Sequence, residues 1–176
     1  MLGYAEAGMA RTPATDETVR LIWEGVIGAD RMCRYYGYLG NRLRRVGDMV
    51  TIGTVGCSAG TVLAALNRLP EWMSLLALAI ATVAAIALVV GRYQEKAARS
   101  VDVYRQLERL SIEWESLWNG VSEREDAELR ERWSSLSERQ AGVLERVPVE
   151  LPLSKGLARR SEREADRYWT ERHVPA

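Results

Sequence analysis

Two long uncharged stretches interrupt a chain that is otherwise dense in charge. Residues 49–66, MVTIGTVGCSAGTVLAAL, and 72–90, WMSLLALAIATVAAIALVV, contain no Asp, Glu, Lys, Arg or His. At 1.5 Å per residue each reaches about 27 Å, close to the hydrocarbon thickness of a bilayer. Surface helices of soluble proteins alternate apolar and polar faces, and these runs do not. The pattern predicts transmembrane helices at about 47–66 and 72–91. Only Asn67-Arg68-Leu69-Pro70-Glu71 joins them, which predicts an antiparallel hairpin.

The flanks carry a different period. Val19, Ile22, Val26, Ala29, Cys33, Tyr36, Gly40, Leu43 and Gly47 recur at alternating steps of three and four, a heptad seam on one helix. Thr15 or Asp16 is placed to cap it. No proline interrupts the run, so this helix is expected to continue into the first apolar stretch. After the second stretch, Val103, Leu107, Leu110, Trp114 and Leu117 form a matching seam, expected to continue that helix until Asn119-Gly120 ends it. Ser122-Glu123-Arg124-Glu125 reads as a capping box for a further helix with Leu129, Trp133, Leu136, Val143 and Val147 on its inner face. Pro148 and Pro152 close it. Ser154 caps a last helix to about Arg172, rich in Arg and Glu. Only Leu157, Tyr168 and Trp169 offer it apolar anchors, so it is expected to pack on a partner subunit or stay mobile.

The predicted fold class is therefore an all-α membrane protein: a two-span helical hairpin with long cytoplasmic helical extensions. Its parts are a flexible N-terminus (1–14), a hairpin-bearing domain (15–120) and a cytoplasmic helical region (121–176). Residues 1–18 hold no apolar run, so the first span is expected to act as the insertion signal. Arg42, Arg44 and Arg45 precede the first span, and Arg92, Lys96 and Arg99 follow the second; the connecting loop has only Arg68. By the positive-inside rule both termini face the cytoplasm of an inner, plasma-membrane protein.

Charge and chemistry narrow the function. The chain has 24 basic and 24 acidic residues and no net charge, which gives no reason to expect DNA as a partner. Cys33 and Cys57 have no metal or redox spacing, and His173 is a lone histidine near the end. There is no Gly-rich phosphate loop and no nucleophile beside a base. An enzyme is not expected, nor any cofactor.

Three groups of residues remain. Gly53, Gly56 and Gly60 share one face of the first span, where close helix approach favours association. Ala77, Ala81 and Ala84 form a small-residue stripe on the second that could receive them. Thr51, Thr54, Ser58 and Thr61 lie on another face of the first span. They either bond back to their own helix or line a pore. Arg42, Arg44, Arg45, Arg92 and Arg99 are expected to converge beneath the hairpin, for lipid headgroups or for a phosphate-bearing ligand.

The layout RMCRYYGYLGNRLRR, two close spans, then GRYQEKAARSVDVYRQLERLSIEWESLW resembles the SLATT-domain family. Tyr35 and Tyr36 before the spans, and Ala97, Ala98 and Tyr104 after them, carry the likeness over roughly residues 17–120. The resemblance implies a membrane effector of prokaryotic antiphage defence that accompanies nucleotidyltransferases or nucleotide sensors. Its expected partners are the lipid bilayer, copies of itself in a tetramer or similar closed ring, an anionic nucleotide second messenger and a nucleotidyltransferase from the same locus. On that reading the oligomer is an ion channel that opens on the signal, depolarises the membrane and kills or arrests the cell. The competing reading is a two-span anchor or scaffold whose coiled helices recruit a cytoplasmic partner.

Overall fold

Thr15 starts the first helix by two bonds. Its hydroxyl oxygen accepts the Thr18 N–H at 3.3 Å, and its carbonyl accepts the Val19 N–H at 3.0 Å. Asp16 and Glu17 then place negative charge in the first turn, against the positive end of the helix dipole. The computed structural model describes residues 14–66, 71–149 and 151–173, though not the side chains at 60–66, 71, 74, 77, 88–90 and 173. All its elements are helical: α1 (Asp16–Leu66), α2 (Glu71–Gly91), α3 (Tyr93–Asn119), a 3-10 turn (Val121–Glu123), α4 (Asp126–Glu145) and α5 (Lys155–His173).

The two heptad seams pack against each other within one chain. Ile22, Val26, Ala29 and Cys33 of α1 join Val103, Leu107, Leu110, Trp114 and Leu117 of α3 in one buried cluster. Each buried Leu or Ile contributes about 1.5–3 kcal/mol. The pair runs antiparallel, and glycines on α1 set how closely it packs. A Cβ on Gly25 would stand 2.6 Å from the Trp114 ring, and one on Gly37 would stand 3.2 Å from Tyr104. Near the hairpin, a Cβ on Gly47 would meet Gln94 and Tyr93 at 3.1 and 3.2 Å. Leu129, Leu136 and Trp169 bring α4 and α5 into the same core.

Three local expectations are corrected. The second apolar helix does not run unbroken into α3. Arg92 stands between them in the left-handed region, φ 44° and ψ 39°, and turns the chain. The helix after Gly120 begins at Asp126, without a side-chain cap, and Ser122–Glu125 does not form the predicted capping box. Asp126 instead serves α1: its Oδ1 accepts the Thr15 N–H at 2.8 Å and the Thr15 hydroxyl at 3.1 Å. Finally, α5 docks on α1 of its own chain. Ser161, Ala165 and Trp169 are its buried face, and two small residues bring the helices together where large apolar anchors are lacking.

The larger correction concerns the membrane. Among the described residues, no helix is long and apolar enough to cross one. A span needs about 20 consecutive apolar residues. The apolar part of α1 is the tail of a helix that carries charge through Asp48. The expected two-span membrane fold, the inner-membrane location with cytoplasmic termini and the ion-channel reading that needs those spans are withdrawn. What the structure shows there is a helical hairpin, α2 returning beside the end of α1.

Candidate functional site

The hairpin displays its apolar residues outward. Met49, Ile52 and Val55 on α1 are 72%, 71% and 63% exposed, and Trp72, Leu75 and Val83 on α2 are 65%, 66% and 67% exposed. Leu76, Leu78, Ile80 and Ile86 are also open. The less exposed positions are small or short: Val50, Thr54 and Cys57 on α1, and Ala81, Ala84 and Ala87 on α2. The larger side chains therefore remain on the outer surface. A concentration of exposed apolar side chains of this kind marks a binding face.

The glycines fall on that outer surface. A Cβ on Gly53 or Gly56 would meet nothing within 4 Å. They are not seated on the alanine stripe of α2, although Ala81 is buried. Gly60 and Ala77 lie in α1 and α2, but their surroundings are outside what is described. The open glycine backbone is available to another helix, which can approach it closely.

The hydroxyls turn inward on their own helix. Thr51 donates to the Gly47 carbonyl, Thr54 to Val50 and Ser58 to Thr54, each at 2.8 Å. Their protons are already placed, so the stripe presents no free donors to a water path. The Thr61 side chain is not among those described.

The arginines do not form one cluster. Arg42 reaches the Ser154 hydroxyl at the start of α5, at 3.5 Å. Arg44, two residues on, points into a groove between α1 and α3. Arg45 is exposed. Arg92 and Arg99 both engage Glu95, at 3.8 and 2.5 Å. About 100° per residue separates 42, 44 and 45 around the helix, which is why neighbours in sequence part company.

Other groups hold the helices in place, and apolar periodicity gave no sign of them. Asp30 is the hub of the α5 contact. Both its oxygens accept from Arg34 Nε at 3.0 Å, and Oδ2 also accepts the Trp169 indole N–H at 3.1 Å. Arg31 pairs with Asp166 at 2.6 Å, and the Tyr38 hydroxyl donates to Glu164. That bond and Arg160 hold the Glu164 carboxyl below its usual range. Burial, reinforced by Glu108, pushes the Cys33 thiol up to about 11, so it stays protonated and unreactive at neutral pH. Neither cysteine is in a disulfide, and no cluster of metal-ligating side chains occurs among the described residues.

No family model, no curated protein and no solved structure matches this chain.

Proposed function

We propose that this chain is a non-enzymatic effector that works by assembling with copies of itself through the apolar hairpin. The observation that carries this is the outward display of Ile52, Val55, Leu75 and Val83 beside the open backbone of Gly53 and Gly56. One hairpin cannot cover these residues alone, whereas a second hairpin laid against the glycines would bury them. The helical bundle supplies the charged, well-packed base. The SLATT resemblance suggests the setting: antiphage defence, an anionic nucleotide as trigger and a nucleotidyltransferase from the same locus as its source.

The test is the mass of the purified full-length protein by light scattering. Wild type should be a discrete oligomer. Gly56→Ile places a branched side chain on the approach face, and Val83→Glu places a charge on the apolar surface; each should shift the protein to a smaller species. In cells carrying the whole locus, both variants should lose protection against phage. A monomeric wild type, or a hairpin that partitions into lipid vesicles as a single copy, refutes the assembly reading.

A further inference from the structure

The groove that receives Arg44 combines basic and aromatic side chains. It is a cleft of about 540 Å³ between α1 and α3, at the end of the bundle next to the hairpin. Arg34, Tyr38, Asn41 and Arg44 line it from α1, spaced three or four residues apart on one face. Tyr104 and Arg105 face them from α3. Its one carboxylate, Glu108, accepts the Tyr104 hydroxyl at 2.7 Å. Arg34 is compensated by Asp30 behind it, so Arg44 and Arg105 against Glu108 leave the cleft with a net positive charge.

The three arginines differ in how far they are already engaged. Arg34 gives its Nε to Asp30 and lies over the Tyr168 ring, 5.3 Å from its centre. It is held through Nε, and among the described residues its terminal nitrogens make no hydrogen bond. Among the described residues, neither Arg44 nor Arg105 has an ion-pair or hydrogen-bond partner. The Asn41 amide adds a neutral donor on the same wall. Gly37 lets the Tyr104 ring close against α1, so the cleft has an aromatic floor.

We propose that this cleft binds a phosphate group, with Arg44 and Arg105 as its principal ligands and Arg34 and Asn41 completing the set. A guanidinium presents paired donors that match phosphate oxygens bidentately, and several together neutralise a multiply charged anion. The phosphate can belong to a small soluble ligand or to a lipid headgroup. The arginine pair that carries this, Arg44 with Arg105, joins one residue of the sequence-predicted set to one outside it. As the place where an anionic trigger acts, the site rests on the function proposed above. As a phosphate site, it stands alone.

The experiment is isothermal titration calorimetry of the full-length protein with inorganic pyrophosphate. Alongside it, co-sedimentation compares phosphatidylglycerol with phosphatidylcholine vesicles. Arg44→Glu/Arg105→Glu reverses two charges without breaking an ion pair described in the fold. Arg45→Glu, on a different face of α1, is the control. The double variant should lose pyrophosphate binding, or selective vesicle binding, by about tenfold or more, and the control by less than about twofold. Binding of pyrophosphate identifies a soluble ligand, and vesicle binding alone identifies a headgroup. Binding that survives the double variant, or that Arg45→Glu weakens as much, overturns the site, as does the absence of both kinds of binding. Mass measured on the same samples separates the two proposals. Bound pyrophosphate without a change of mass keeps the cleft and removes the trigger. A hairpin-dependent oligomer that binds neither probe keeps assembly and removes the cleft.

Discussion

The six-membered ring of Trp114 occupies the space where a side chain on Gly25 would begin. A Cβ there would lie 2.6 Å from two ring carbons, closer than real Cβ atoms come. The ring cannot retreat. Trp114 is 1% exposed, and its indole N–H is tied to Gln140 at 2.9 Å. Gly25 thus sets how closely α1 and α3 pack at this level.

Gly25→Ala should therefore destabilise the protein. Alanine gains about 1 kcal/mol of helix propensity over glycine, but overpacking a rigid core costs about 1–3 kcal/mol. Gly28, one turn on, has nothing within 4 Å of its Cβ position. Gly28→Ala should stabilise by up to about 1 kcal/mol. Thermal melts of the two variants should move in opposite directions.

Arg92 tests the joint between α2 and α3. A non-glycine residue in the left-handed region carries about 1–2 kcal/mol of strain, and its pair with Glu95 is exposed and 3.8 Å long. Arg92→Gly should raise stability by about 0.5–1 kcal/mol, after glycine's own entropy cost is subtracted. Arg92→Ile should lower it, since a branched side chain fits that conformation worst. Denaturant midpoints will show the order.

Acid should loosen α5. Glu164 has its folded pKa lowered by the Tyr38 hydroxyl and by Arg160. A lowered folded value means that the stabilisation is complete above the unfolded carboxylate range and is lost as pH falls through the folded value. Asp126, lowered chiefly by the Thr15 backbone N–H, acts in the same direction at the start of α1. Trp169 fluorescence followed below the normal carboxylate range should report release of α5. Glu164→Gln should flatten that acid limb.

The cysteines should differ in reactivity. Cys33 is buried and its thiol is held protonated, whereas Cys57 is only half-buried on the hairpin. N-ethylmaleimide on the native protein at neutral pH should modify Cys57 first and leave Cys33 until unfolding, as mass spectrometry of tryptic peptides will show.

Periodicity alone located the α1 and α3 seams. Ile22, Val26, Ala29 and Cys33, and the five positions from Val103 to Leu117, are buried where the three-four spacing put them. It could not say that the seams would meet within one chain. The α5 contact was missed because Ser161 and Ala165 bury by being small, and a search for large apolar anchors passes over them. The capping box at Ser122 was misread because a local motif competes with distant partners, and Asp126 bonds a residue 111 positions away. The break at Arg92 left no mark in the period. Runs of uncharged residues suggested membrane spans, but absence of charge is a weaker condition than a long apolar helix, and the described residues do not meet it. Of the predicted arginine set, Arg44 reaches the basic cleft; Arg34 and Arg105 went unnoticed because they sit among many charged neighbours.

The two legs of the hairpin are mounted differently. One leg is α1 itself, a single 51-residue helix about 76 Å long that runs from the core to the tip without a joint. The other meets the bundle through the left-handed turn at Arg92, which separates α2 from α3. The last close packing of α1 on α3 before the hairpin is at Gly47, against Tyr93 and Gln94. From there to Leu66 the arm is about 29 Å, so a tilt of about 10° at the base carries the tip about 5 Å. In the assembly proposed above, a change of angle at that point would therefore be enlarged at the tip.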